Sequence, residues 1–240
     1  MGSTVAIGSL EGNLTNLAFL LDRQTDSRIR SSGTQIVSLI GADPREKESI
    51  EPLIVRQGWQ LETFESARDF LARHRTRVPH CLILGFRLPA FNELQVQKQI
   101  ARERPETAII ATSSQVDTPT VVQVMKSGAL DFLVKPLSGD ALVKAIRHGL
   151  EQSRLVLDHE IEVHSLRKRY ASLTSRERQV MALVVSGLLN KQVGAELSIS
   201  EITVKAHRGQ VMQKMKASSL ADLVRMVTKL ETRRYPIYLA

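Results

Sequence analysis

The chain has 240 residues, 42% of them apolar and 4% aromatic. That is enough for about two domains with real cores, but it offers few of the rings on which single-stranded nucleic acid stacks. Its net charge of +8 is unevenly placed: residues 171–240 hold 11 Lys/Arg against 5 Asp/Glu, the balance a phosphate-contacting module needs, since neutralised phosphates release counterions.

Cys81 is the only cysteine, which excludes an internal disulfide and suits a reducing compartment. No apolar run approaches the ~18 residues of a membrane span. The N-terminus lacks the basic-then-apolar pattern of a secretory signal, and Ala6 stands where myristoylation wants Ser or Thr. A soluble intracellular protein is the expectation.

Residues 1–33 form an N-terminal extension. Leu14, Leu17, Ala18 and Leu21 suit one face of a short amphipathic helix that docks on the next domain or pairs with its copy. A disordered tether is the alternative.

Residues 34–138 alternate strands with helices. Strands are predicted at 35–40, 60–64, 81–84, 108–112 and 130–134. Helices are predicted near 46–57, 66–74, 92–103 and 118–127. Short apolar strands spaced by helices imply a parallel sheet covered on both faces. Five such units fit a flavodoxin-like α/β domain with its site at the carboxyl ends of the strands. Asp43 before Pro44 is read as a helix N-cap; an ion pair with Lys135 or a phosphoryl acceptor is the other reading. Cys81 is expected to be a buried structural thiol.

Residues 139–170 are predicted to be one long helix serving as last sheet-covering helix and linker. Leu142, Ile146 and Leu150 should pack on the sheet. Leu150, Leu157 and His164 repeat every seven with Ile161 beside them, which fits a paired-helix seam as well as a solvated connector. His159 and His164 are five apart and do not share a helical face. Neither a metal site nor a cofactor is expected.

Residues 171–240 read as four helices. Thr174 and Glu177 form a capping box, and Val180, Leu183 and Val184 give the first helix an apolar face. The second, 190–197, places Val193 and Leu197 together. The break Ser198-Ile199-Ser200 follows, with Ser200 as N-cap. The third, 201–215, repeats Ile202, Val204, Val211, Met212 and Met215 as apolar positions. The last supplies Leu220, Leu223, Val224 and Val227. Helix, tight break and basic helix describe a helix-turn-helix, the reader of double-stranded DNA. Lys205 and Arg208 are the candidates for guanine edges or nearby phosphates, on a stripe with 201 and 212. Lys191 should meet a phosphate.

On these residues the chain resembles the NarL/FixJ family of bacterial response regulators, a receiver domain with a LuxR-type DNA-binding domain. The segments carrying the likeness are LTSRERQV, GLLNKQVGAEL and SEITVKAHRGQVMQKM. To them are added Asp43-Pro44, Leu88-Pro89, Thr112, Phe132 and Lys135-Pro136 at strand ends. The resemblance covers roughly residues 34–232. It implies a five-stranded receiver joined by a long helix to an all-α four-helix domain, a homodimer on promoter DNA, and a place in the bacterial cytoplasm, on the nucleoid when DNA is bound. It also implies contacts to the DNA backbone from Thr203 and His207, groove positions at Ala206 and Gly209, a switching aromatic at Phe132, and a Lys-Pro bond of the kind often cis; Ser200 is expected among the DNA-binding residues.

The departures bear on control. The acidic pair such receivers use for Mg²⁺ falls on Gly41 and Ala42, and the phosphate-accepting aspartate falls on Gly85. Aspartyl phosphorylation needs a carboxylate nucleophile and a bridging cation, so control independent of phosphorylation is the expectation. The receiver would then be a platform for dimerisation, an anionic small molecule or a protein partner. Lys135 and Thr112 either line such an anion cleft or are structural. The rival readings are phosphorelay through Asp43 and a protein-interaction module. No nucleophile–base pair, metal cluster or phosphate-binding loop suggests an enzyme.

Overall fold

The computed structural model describes residues 34–86, 91–115 and 117–231. The helix expected near Leu14–Leu21 and the Leu88-Pro89 pair lie outside the described residues. The chain forms two units that part between Glu160 and Ile161.

In the first unit β1 (Ile36–Ile40), β2 (Gln60–Phe64), β3 (His80–Gly85), β4 (Thr107–Ser113) and β5 (Ala129–Val134) alternate with α1 (Pro44–Arg56), α2 (Ala67–Ala72), α3 (Phe91–Glu103) and α4 (Thr118–Lys126). All strand pairs are parallel, in the order β2-β1-β3-β4-β5. This is the doubly wound 2-1-3-4-5 arrangement, whose switch point lies between β1 and β3.

Period-two alternation sends each strand's side chains to opposite faces. Val37, Leu39, Cys81, Ile83 and Ile110 meet Ile50 and Ile54 of α1 on one side, together with Leu142, Ile146 and Leu150. Ile40, Leu82, Leu84, Ile109 and Ala111 meet Phe70 of α2, Ile100 of α3 and Val124 of α4 on the other. Central β1, β3 and β4 are buried on both faces, whereas edge strand β2 is half exposed. Cys81 is fully buried, and that burial pushes its thiol up.

A single helix, α5 (Gly139–Ala171), begins in this unit and ends in the second. Its Ser153 hydroxyl accepts from the His80 backbone N–H at 2.8 Å. Arg75 donates to both oxygens of Glu106 and to Glu160. Of the heptad-spaced set, Leu150 packs on the sheet and Leu157 is buried. Among the large apolar residues of α5, Leu155 and Ile161 are exposed.

His80 is buried, with Nε2 2.7 Å from the Ser38 hydroxyl. Burial, reinforced by the Arg73 and Arg104 cations, lowers its pKa from 6.5 to about 4. The unfolded chain therefore takes up this proton first as pH falls. The stability His80 contributes is complete above 6.5 and is lost as pH drops toward 4. Between pH 7 and pH 5 the loss should be about 2 kcal/mol. Urea titrations of the parent and of His80→Gln check this, since the variant should lack that part of the slope.

The second unit holds α6 (Ser175–Val185), α7 (Asn190–Leu197), α8 (Glu201–Met215) and α9 (Leu220–Glu231) with the end of α5. Thr174 and Glu177 form the capping box. Val180, Leu183, Val184, Val193 and Val204 make one core cluster. Leu166, Met181, Val211, Met215, Leu223, Val227 and Leu230 make another. Leu220 does not join them and is exposed. Ile202 departs furthest from expectation: it is 79% exposed, because Val204, Val211 and Met215 set the buried side of α8 and Ile202 falls roughly half a turn away from it.

Candidate nucleic-acid interface and sheet-end cleft

At the carboxyl ends of β1 and β3 the backbone itself fills the space. Gly41 follows β1 with φ +74°, a left-handed conformation that a Cβ disfavours. Gly85 ends β3, and a Cβ built there would lie 2.8 Å from the Gly41 carbonyl oxygen and 3.4 Å from that of Ile40. Ala42 packs on the first core cluster, and Asp43 caps α1 by accepting from the Glu46 N–H at 2.8 Å. The position offers no carboxylate nucleophile and no pair of acidic metal ligands.

The two retained polar groups lie on β4 and after β5. Thr112 is the penultimate residue of β4, which continues to Ser113, and it is 1% exposed. Its hydroxyl has no hydrogen-bond partner among the described residues. Lys135 neither snorkels freely to solvent nor pairs with Asp43. Its Nζ donates to Glu46 Oε2 at 2.6 Å, with side chains 26% and 11% exposed. The Lys135-Pro136 peptide is cis. Phe132 is partly buried against the second core cluster. Nothing in the spacing of Glu46 ties it to a lysine 89 residues away, so the sequence carries no sign of this pair.

The helix-turn-helix is held by close backbone approach. Ser198 closes α7 with φ 53°, and the chain after it folds back on Gly194 of α7, where a Cβ would lie 2.7 Å from the Ile199 carbonyl oxygen. Ser200 caps α8 by accepting from the Thr203 N–H at 3.1 Å, and the two hydroxyls are 2.8 Å apart. Arg176 donates to the Leu197 carbonyl at 2.6 Å, anchoring the end of α7 to α6. Lys214 of α8 donates to both oxygens of Glu177 at 2.8 and 2.7 Å. That pair, with the Thr174 N–H, holds the Glu177 carboxyl below the usual carboxylate range.

On the outer surface of this motif Lys191, Ser200, Thr203, Lys205 and Ala206 are exposed, while His207 and Arg208 are half-buried. Lys205 lies 3.1 Å from Glu201 one turn earlier, an exposed pair that a phosphate can readily displace. Arg208 does not stand free on the leading face: its Nη1 donates to Asn190 Oδ1 at 3.1 Å, tying α8 to the start of α7. Met212, placed on the same stripe by spacing, packs against the core. The residues pointing directly away from the core are Ile202, Ala206, Gly209 and Gln213, all exposed. Among the described residues no group of three or more His, Cys, Asp and Glu could hold a metal ion, and no helix is long and apolar enough to cross a membrane.

A 2-1-3-4-5 parallel sheet unit followed by a helix-turn-helix unit defines a regulator with a receiver-type front half and a DNA-binding tail. Residues 37–147 match the response regulator receiver domain, and residues 171–227 match the LuxR family of bacterial regulatory proteins. The chain is 40% identical over 196 residues to nodulation protein W of Bradyrhizobium diazoefficiens, covering 82% of this chain and 86% of that one. It is 38% identical over 208 residues to the response regulator protein TodT of Pseudomonas putida, covering 87% and 92%. The solved structure of the response regulator StyR aligns with a TM-score of 0.68 at 36% identity, over 82% of this chain and all of that one. The chain belongs to the NarL/FixJ family of response regulators, DNA-binding transcriptional regulators of two-component type and not enzymes.

Proposed function

We propose that this regulator binds promoter DNA sequence-specifically as a homodimer, and that its control does not pass through aspartyl phosphorylation. The observation that carries the second part is the contact between the Gly85 and Gly41 backbones, which occupies the space an acceptor side chain would need. The Glu46–Lys135 pair supports it, because the lysine that would meet a phosphoryl group is already matched by an internal carboxylate. Asp43 is engaged in capping α1, which argues against it as a substitute acceptor. Residues 34–138 then serve as a degenerate receiver, a platform for dimerisation or a protein partner. With Lys135 neutralised, a small anionic ligand is less well served there. Residues 139–170 are its last helix and linker, and residues 171–240 bind DNA.

Within that last part Lys191, Ser200, Thr203 and His207 contact the sugar-phosphate strand, Lys205 and Arg208 reach base edges or phosphates, and Ala206 faces the groove. The protein works in the cytoplasm, on the nucleoid when bound. The test is binding of the full chain to its selected operator with and without acetyl phosphate, and with Mg²⁺ and beryllofluoride. Equal affinity and no covalent label are expected; a labelled aspartate that raises affinity would overturn phosphorylation-independent control. Lys205→Ala and Arg208→Ala should each weaken operator binding by about 1–2 kcal/mol, read by fluorescence anisotropy. Unchanged affinity in both would remove them from the reading surface.

A further inference from the structure

We infer that Ile202 is a specificity-determining residue that reads the C5-methyl group of thymine in the major groove. The inference rests on the proposal that α8 is the reading helix and says what kind of base it reads. Four positions of α8 lie directly opposite its buried side: Ile202, Ala206, Gly209 and Gln213. These lead into a groove that receives the helix, with Lys205 beside them and Arg208 further round toward α7.

Three of the four carry no hydrogen-bonding side chain. Ala206 is short, and a Cβ at Gly209 would meet nothing within 4 Å. Neither holds the helix away from the floor of the groove. Ile202 is the one large side chain in the leading turn of that stripe, and it is 79% exposed. A single exposed aliphatic residue on a protein surface is ordinary; its placement here is what gives it a role. Lys205 and Thr203 flank it on the same helix, and the unit is basic as a whole, so a polyanionic duplex is the partner whose charge fits. An aliphatic group cannot satisfy the donors and acceptors of a base edge. The thymine methyl is the apolar feature the major groove displays. Contact there buries Ile202 and discriminates thymine from cytosine on the same strand.

The full-length protein is first used to select its operator from a random duplex pool. Each thymine of the selected site is then replaced singly by deoxyuridine, which removes the methyl and leaves every hydrogen-bonding group in place. For the parent protein one thymine per half-site should show about a fourfold loss of affinity, the worth of one buried methyl. For Ile202→Ala the thymine and deoxyuridine operators should bind equally, while Ile202→Val retains part of the difference. Ile202 is outside both core clusters, so these variants should keep the parent's denaturation midpoint. Sequence-selective binding in which Ile202→Ala keeps the parent's full deoxyuridine penalty, or in which no thymine shows a penalty, overturns the inference and leaves the reading helix standing. A pool from which no sequence is enriched overturns both.

Discussion

Replacing Gly85 by aspartate should destabilise the first unit by roughly 3 kcal/mol and create no phosphate acceptor. Restoring the missing residue would ordinarily be the direct way to restore the chemistry. Here a Cβ at position 85 would lie 2.8 Å from the Gly41 carbonyl oxygen, and backbone cannot swing aside as the end of a long side chain can. The new carboxylate would also be forced against the carbonyl oxygens of Gly41 and Ile40, which repel it. Supplying the acidic pair at the same time does not relieve this, because Gly41 sits at φ +74°, where a side chain adds strain of about 1 kcal/mol. Chemical denaturation of Gly85→Asp against the parent measures the first effect, and exposure to acetyl phosphate with intact-mass analysis measures the second. A variant as stable as the parent that gains a phosphoryl group would show the closed backbone is no barrier.

Replacing Gly194 by valine should cost the second unit roughly 2–3 kcal/mol and abolish operator binding. Gly194 is buried on α7 where the chain turns back toward α8, and a Cβ there would lie 2.7 Å from the Ile199 carbonyl oxygen. A branched side chain there must push the turn outward, and α8 moves with it. The expected signature is a lowered denaturation midpoint together with loss of sequence-selective binding. Leu189→Ala, at an exposed position on the same motif, is the control and should leave the denaturation midpoint unchanged. Gly194→Val with full operator affinity would mean that the approach of α7 to the turn does not set the reading helix.

Much of the fold was legible because it depends on local pattern. The strand and helix succession, the Asp43 and Ser200 caps and the Thr174–Glu177 box are all written within four residues of one another. Less of the site was legible. Ile202 looked like one more apolar position of α8, yet α8 has little amphipathic contrast, and only its packing partners reveal which side is buried. Arg208 looked free because nothing local announces Asn190, 18 residues earlier. Glu46 carries no local signal because its partner Lys135 lies 89 residues away, after β5.

The amino-acid sequence by itself determined that the chain has an alternating α/β front, a basic helix-turn-helix tail, and no carboxylates at positions 41, 42 and 85. Those are statements about residue type and short-range spacing, which the backbone's own periodicities and caps convert into elements. Tertiary structure decided that the Gly41 and Gly85 backbones close on each other, that Lys135 is matched by Glu46, and that Ile202 faces outward. Each of these depends on which surfaces meet across long sequence separations, where burial and steric contact outweigh any preference a short segment carries.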